Sequence, residues 1–166
     1  MVDRFFHKLD AGLATVHKIF VFIASVMLIS LIFMMDFDLT ARFLYAPVPG
    51  MSELTEIFLL YMTFLGTAWL FREDGHVIVD IVLANLIPRA KRVFAYVNYL
   101  LIAVTALVLT CFGFLTTWDN FQRGVSNPTI LETPIAIIIV IIPIGALVLL
   151  LEVMIKAWKL YRGAEV

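Results

Sequence analysis

Apolar positions in this chain come in long uncharged runs rather than in the short alternations of a soluble fold. Residues 19–35, 57–71, 93–118 and 133–151 contain no Asp, Glu, Lys or Arg, and the last run continues at helical spacing to about residue 158. A helix crossing a hydrocarbon core about 30 Å thick needs about 20 mainly apolar residues. All four runs qualify, the second on condition that Glu53 and Glu56 sit at the membrane surface. No water is available there to bond the backbone, so the runs must be helical. The pattern predicts an all-α integral membrane protein, one membrane domain over residues 1–166. Its transmembrane helices fall at about 17–37, 52–72, 92–118 and 133–158. The first run ends at Met34-Met35-Asp36 without a small-residue cleavage site, so it reads as a retained crossing rather than a signal peptide.

Between the second and third spans lies a shorter element at about 76–88, apolar around most of its circumference, with His76, Asp80 and Ala84 on one face. It is too short to span. It reads as an interfacial amphipathic helix, ended by Pro88 and anchored by Arg89, Lys91 and Arg92. Trp158, with Trp69, Trp118 and Tyr161, falls near a predicted membrane surface, as interfacial aromatics do. Local signals mark the boundaries. Pro47-Val48-Pro49-Gly50 is a turn, with Ser52 the expected cap of the second helix and Glu53 and Glu56 in its first turn. Thr133-Pro134 has the form of a cap followed by a first-turn proline, and Pro143 predicts a kink in the fourth helix.

Charge then orients the chain. Ten of the 12 Lys and Arg residues lie in the N-terminal tail, the loop between the second and third spans, or the C-terminal end. Only Arg42 and Arg123 fall on the other side. Positive charge collects on the cytoplasmic side, so both termini are expected there. The composition agrees: 63% hydrophobic and 15% charged, against about 25% charged in soluble domains. A single cysteine, Cys111, excludes an internal disulfide.

The chemistry is sparse. No Gly-rich phosphate loop or nucleophile motif appears, and there is no space for a catalytic domain, so an enzyme is not expected. The basic residues form a membrane-side belt rather than a nucleic-acid patch. The runs lack the buried ionisable residue that pumps and proton-coupled exporters place at mid-bilayer, and no histidine sits where a haem would need one. Glu53 and Glu56 are open to three readings: helix-end stabilisation, an ion pair with Arg42 or a partner, or a ligand site. Arg72, Glu73, Asp74, His76 and Asp80 form either a solvated loop or a hydrogen-bonded corner; His76 and Asp80 alone supply only two metal ligands. Stripes of small residues run along the second helix (Thr63, Gly66, Thr67, Leu70) and the third (Ala103, Ala106, Thr110, Gly113). Such stripes let helices approach closely in lipid. Spacing alone leaves open whether they pack internally or against another protein.

The order of Arg42, Glu53, Leu65-Gly66, Arg72, His76-Val77-Ile78-Val79-Asp80, Ile87-Pro88 and Arg92 resembles the small membrane subunit of tripartite ATP-independent periplasmic (TRAP) transporters, the DctQ-like family. The likeness covers nearly the whole chain. The chain departs from the family pattern at Gly50-Met51, where a tryptophan is frequent, at Glu56, where a basic residue is common, and at His76-Val77 in place of His-Ile. The resemblance implies a scaffold subunit in the bacterial inner membrane, working with a large permease subunit and a periplasmic binding protein. The system would take up organic acids such as dicarboxylates or sialic acid on a sodium gradient. Substrate and sodium sites would lie on the large subunit, with no cofactor in this chain beyond a bound phospholipid. The competing readings are a small four-helix homodimeric multidrug-type exporter, which needs a membrane-buried Glu, and an electron-transfer or enzyme anchor.

Overall fold

The computed structural model describes residues 2–44, 48–73 and 88–161, and side chains within 9–44, 48–73 and 93–160 of these. Among the described residues the elements are all helices: α1 (Val2–Phe43), α2 (Met51–Arg72), α3 (Pro88–Arg123), α4 (Ile135–Ile139) and α5 (Ile141–Tyr161). Four stretches of the described residues are long and apolar enough to cross a membrane: Leu9–Phe43, Met51–Arg72, Val93–Arg123 and Ile135–Leu160, the last formed by α4 and α5 together. The expected interfacial helix at 76–88, with His76 and Asp80, lies outside the described residues. Of its anchors, Arg89, Lys91 and Arg92 fall in the first turns of α3, which opens on Pro88. Proline is tolerated there because the first helical N–H has no partner in any case.

The helices pack in the order α1, α2, α5, α3, with α4 continuing α5 against α3. Leu13, Ala68, Val148 and Ile155 form a buried cluster where α1, α2 and α5 meet. Two glycines set the closest approaches. A Cβ on Gly145 would stand 2.9 Å from both Cβ and the carbonyl oxygen of Phe64, so α5 meets the α2 backbone directly. One on Gly113 would stand 3.1 Å from Cδ of Pro143, which brings α3 onto α5. Large apolar side chains such as Phe22, Phe33 and Phe112 point outward instead. Lipid supplies no hydrophobic drive, so close backbone packing holds such a bundle together.

Three local expectations are corrected or refined. Ser52 does not cap α2: the helix starts a residue earlier at Met51, with Gly50 at φ 83° as N-cap and no side-chain capping bond. That left-handed turn presses Gly50 against Leu131, whose Cγ would lie 2.9 Å from a Cβ there. Thr133 does not cap the fourth span either. Pro134 is the N-cap, because pairing with Ser126 holds it extended and the Thr133 carbonyl accepts from the Asn127 N–H at 2.9 Å. The effect of Pro143 shows as a helix break at Val140, between α4 and α5. A proline ring crowds the carbonyl four residues back, which belongs to Ile139, the last residue of α4. The Tyr61 hydroxyl donates to the Ile137 carbonyl at 2.5 Å, so α2 braces the broken helix.

Candidate functional site

The described side chains concentrate their buried charge at one end of the bundle. Asp10 and His17 lie seven residues apart on α1, hence on one face. Glu152, Lys156 and Lys159 form a stripe on α5 at spacings of four and three, and Arg72 ends α2. The Glu152 carboxylate is 3% exposed and takes both His17 Nε2 at 3.1 Å and an Arg72 guanidinium nitrogen at 3.2 Å. The second Arg72 nitrogen donates to Asp10 at 2.9 Å, and Asp10 also accepts from Lys159 at 3.0 Å. Buried Lys156 donates to the Phe71 carbonyl at 2.6 Å and lies 4.9 Å from the Phe71 ring. A cation thus meets the carbonyl end of α2, where the helix dipole favours it.

Because a carboxylate only accepts, His17 must donate from Nε2 to Glu152. Its Nδ1 is buried without a partner among the described residues. Charges at this depth cost several kcal/mol of desolvation each, repaid only when every group is bonded. The network offsets part of that cost by joining three helices through one guanidinium and two carboxylates. No group of three or more His, Cys, Asp and Glu side chains among the described residues is placed to hold a metal ion.

A second carboxylate is buried at the opposite end. Glu53, 7% exposed, accepts from Asn127 Nδ2 at 3.4 Å, from the Thr129 hydroxyl, and from the Leu131 N–H at 3.3 Å. It therefore holds the loop between α3 and α4. Arg42 is not its partner: that side chain pairs with Asp38 on its own helix at 2.8 Å. Glu56 is exposed on α2.

The two small-residue stripes face differently. On α3, Ala106 is fully buried and Gly113 meets Pro143, so this stripe packs inside the bundle, with Thr110 half-buried beside it. On α2, Thr63, Thr67 and Leu70 are exposed, and a Cβ on Gly66 would meet nothing within 4 Å. Trp158 is half-buried. Of the polar corner expected after α2, Arg72 turns into the bundle, while Asp74, His76 and Asp80 lie outside the described residues. Sequence reasoning passed over Asp10, His17, Glu152, Lys156 and Lys159. The signal was present as charges recurring at helical spacing on one face of α5.

Comparison with known families gives a match over most of the chain. The family model described as Tripartite ATP-independent periplasmic transporters, DctQ component, covers residues 31–163. No curated protein matches the chain.

Proposed function

We infer the role of this chain from the family to which it belongs, the DctQ component of tripartite ATP-independent periplasmic transporters. As the small membrane subunit it acts as stationary scaffold for a large permease subunit, which a periplasmic binding protein supplies with substrate. The substrate is an organic acid, a dicarboxylate, sialic acid or similar, and uptake is coupled to sodium, with both sites on the large subunit. The chain lies in the bacterial inner membrane with both termini cytoplasmic. The loop held by Glu53 then faces the periplasm, near Arg42 and Asp119, where the binding protein arrives. The charged network at the other end lies at the cytoplasmic surface, close to the basic anchor of Arg89, Lys91 and Arg92.

The observation that carries the scaffold reading is the contrast among the glycines. Gly113 and Gly145 are filled by this chain's own neighbours, whereas Gly66 and its stripe on α2 are open. A close-packing face with nothing on it suits a second membrane protein. The homodimeric exporter is less well supported. It needs a buried carboxylate free to bind substrate, yet Glu53 bonds through both oxygens within the chain and Glu152 is held by His17 and Arg72.

Isolation of the tagged chain from mild detergent tests the reading. One large multi-spanning permease should co-purify in equal amount, and Gly66→Leu should reduce its recovery about tenfold, the effect of losing about 1.4 kcal/mol of association. Recovery of the chain alone as a dimer, or undiminished permease with the variant, would count against this packing face.

A further inference from the structure

The open face of α2 carries one charge, Glu56. At 3.6 residues per turn Glu56, Leu59, Thr63, Gly66 and Thr67 share an arc of about 100°, turned away from buried Leu65 and Ala68. Glu56, Leu59, Thr63 and Thr67 are exposed, and a Cβ on Gly66 would meet nothing within 4 Å.

The level of Glu56 follows from bonds at the other end of the bundle. His17 and Arg72 both meet Glu152, so they stand at one height. Asp36 lies 19 residues from His17 along α1, and Glu53 lies 19 residues from Arg72 along α2, a rise of about 28 Å in each helix. A hydrocarbon core is about 30 Å thick. Asp36 and Glu53 therefore mark the far surface, and the backbone of Glu56 sits about one turn inside it. The Glu56 side chain tilts toward the start of α2, which brings its carboxylate to the boundary of hydrocarbon and headgroups.

The chain does not neutralise this carboxylate. Among the described residues Glu56 has no hydrogen-bond or ion-pair partner. Arg42 and Arg123, the cations of that end, are held by Asp38 and Asp119 of their own helices at 2.8 and 2.9 Å. Below Glu56 on the same arc, Thr63 and Thr67 donate their hydroxyls to the Leu59 and Thr63 carbonyls at 2.7 and 2.6 Å. The face is thus self-satisfied except for one negative charge, and that charge selects the occupant. Lipid would set phosphates beside the carboxylate. A second copy inserted the same way up, related by a two-fold axis, would set Glu56 against Glu56. A neighbouring helix with Lys or Arg at this height supplies the missing charge, as ionisable groups on spanning helices are paired, and open Gly66 lets that helix approach.

We propose that Glu56 forms an intersubunit ion pair with a Lys or Arg on a spanning helix of the permease, which lies along α2 from Glu56 to Gly66. The assignment rests on the transporter reading and adds to it the charge that sets the register of the partner helix.

Co-purification of the permease with tagged wild type, Glu56→Gln and Glu56→Lys tests it. Glu56→Gln keeps the shape without the charge and should lower permease recovery about tenfold. Glu56→Lys should lower it further. In the Glu56→Lys background, changing each Lys and Arg near the matching ends of the permease helices to Glu, one at a time, should restore recovery at one position. If Glu56→Lys fails to insert, Glu56→Gln is combined with the same cations changed to Gln, and the double variant should lose no more than either single one. Permease recovery equal in all three forms would overturn the ion pair and leave the transporter reading standing. Loss of recovery that no change in the permease offsets would also overturn the pair. Wild type that brings down no permease would overturn both, and a dimer of this chain strengthened by Glu56→Gln would show that a second copy covers the face instead.

Discussion

Glu152 ties two other helices to α5 through one buried carboxylate. Its two hydrogen-bonded neighbours sit on different helices, His17 on α1 and Arg72 on α2, and its carboxylate is almost wholly buried. Glu152→Ala would leave the imidazole with neither nitrogen partnered and would reduce Arg72 to its bond with Asp10. Breaking a buried ionic network by removing one member costs about 3 kcal/mol or more. Glu152→Gln keeps an oxygen for the His17 N–H while losing the charge that Arg72 meets, so it should fall between wild type and Ala. Thermal unfolding of the purified protein in detergent should rank the three forms in that order, with Ala melting several degrees below wild type. Equal melting of Ala and wild type would mean that the network adds nothing beyond its own desolvation. Five residues of this cluster were legible only in part. Asp10 and His17 share a face by their spacing, as do Glu152, Lys156 and Lys159. Which charges meet across helices depends on how α1 and α5 are rotated, and a single sequence does not hold that angle.

At the scale of elements, the same substitution should act oppositely at two glycines. Alanine is the better helix former by about 1 kcal/mol, so Gly66→Ala, which meets nothing within 4 Å, should leave the isolated chain unchanged or slightly more stable. Gly145→Ala places a methyl group 2.9 Å from the Phe64 backbone oxygen. Backbone cannot swing aside as a flexible side chain would, so α2 and α5 must part, at a cost of about 1–3 kcal/mol typical of overpacking. Reversible unfolding of both variants in one detergent checks the pair, and equal stabilities would refute the close approach. Four spanning helices could be read from the sequence because long uncharged runs leave no other solution in lipid. The cap positions could not. Ser52 and Thr133 have the right chemistry one or two residues from the right place, but Gly50 in a left-handed turn and Pro134 paired with Ser126 set the starts instead. The α2 stripe at Gly66 and the α3 stripe at Gly113 looked alike by spacing. The packing of Pro143 on Gly113 and the burial of Ala106 separate an internal seam from an open one.

For the molecule as a whole, buried Glu53 and Glu152 mark opposite ends, and the charge bias predicts which end faces the cytoplasm. The Glu152 network gathers Arg72, Lys156 and Lys159 at one end, while the Glu53 loop leaves only Arg42 and Arg123 as cations at the other, each paired with an aspartate four residues earlier. Both aspartate pairs lie at the ends of their helices, at the height where a spanning helix re-enters water. The positive-inside bias predicts the end holding Gly12 on the cytoplasmic side and the end holding Gln122 outside. Cysteine labelling in intact cells separates the alternatives. In a Cys111→Ser background, Gln122→Cys should react with a membrane-impermeant maleimide before lysis, and Gly12→Cys only after it. Gln122 is exposed, and a side chain at Gly12 would meet nothing within 4 Å, so neither replacement disturbs the fold. The reverse pattern would turn the scaffold over. It would place the Glu53 loop in the cytoplasm, away from any periplasmic binding protein, so docking at that loop and this topology stand or fall together.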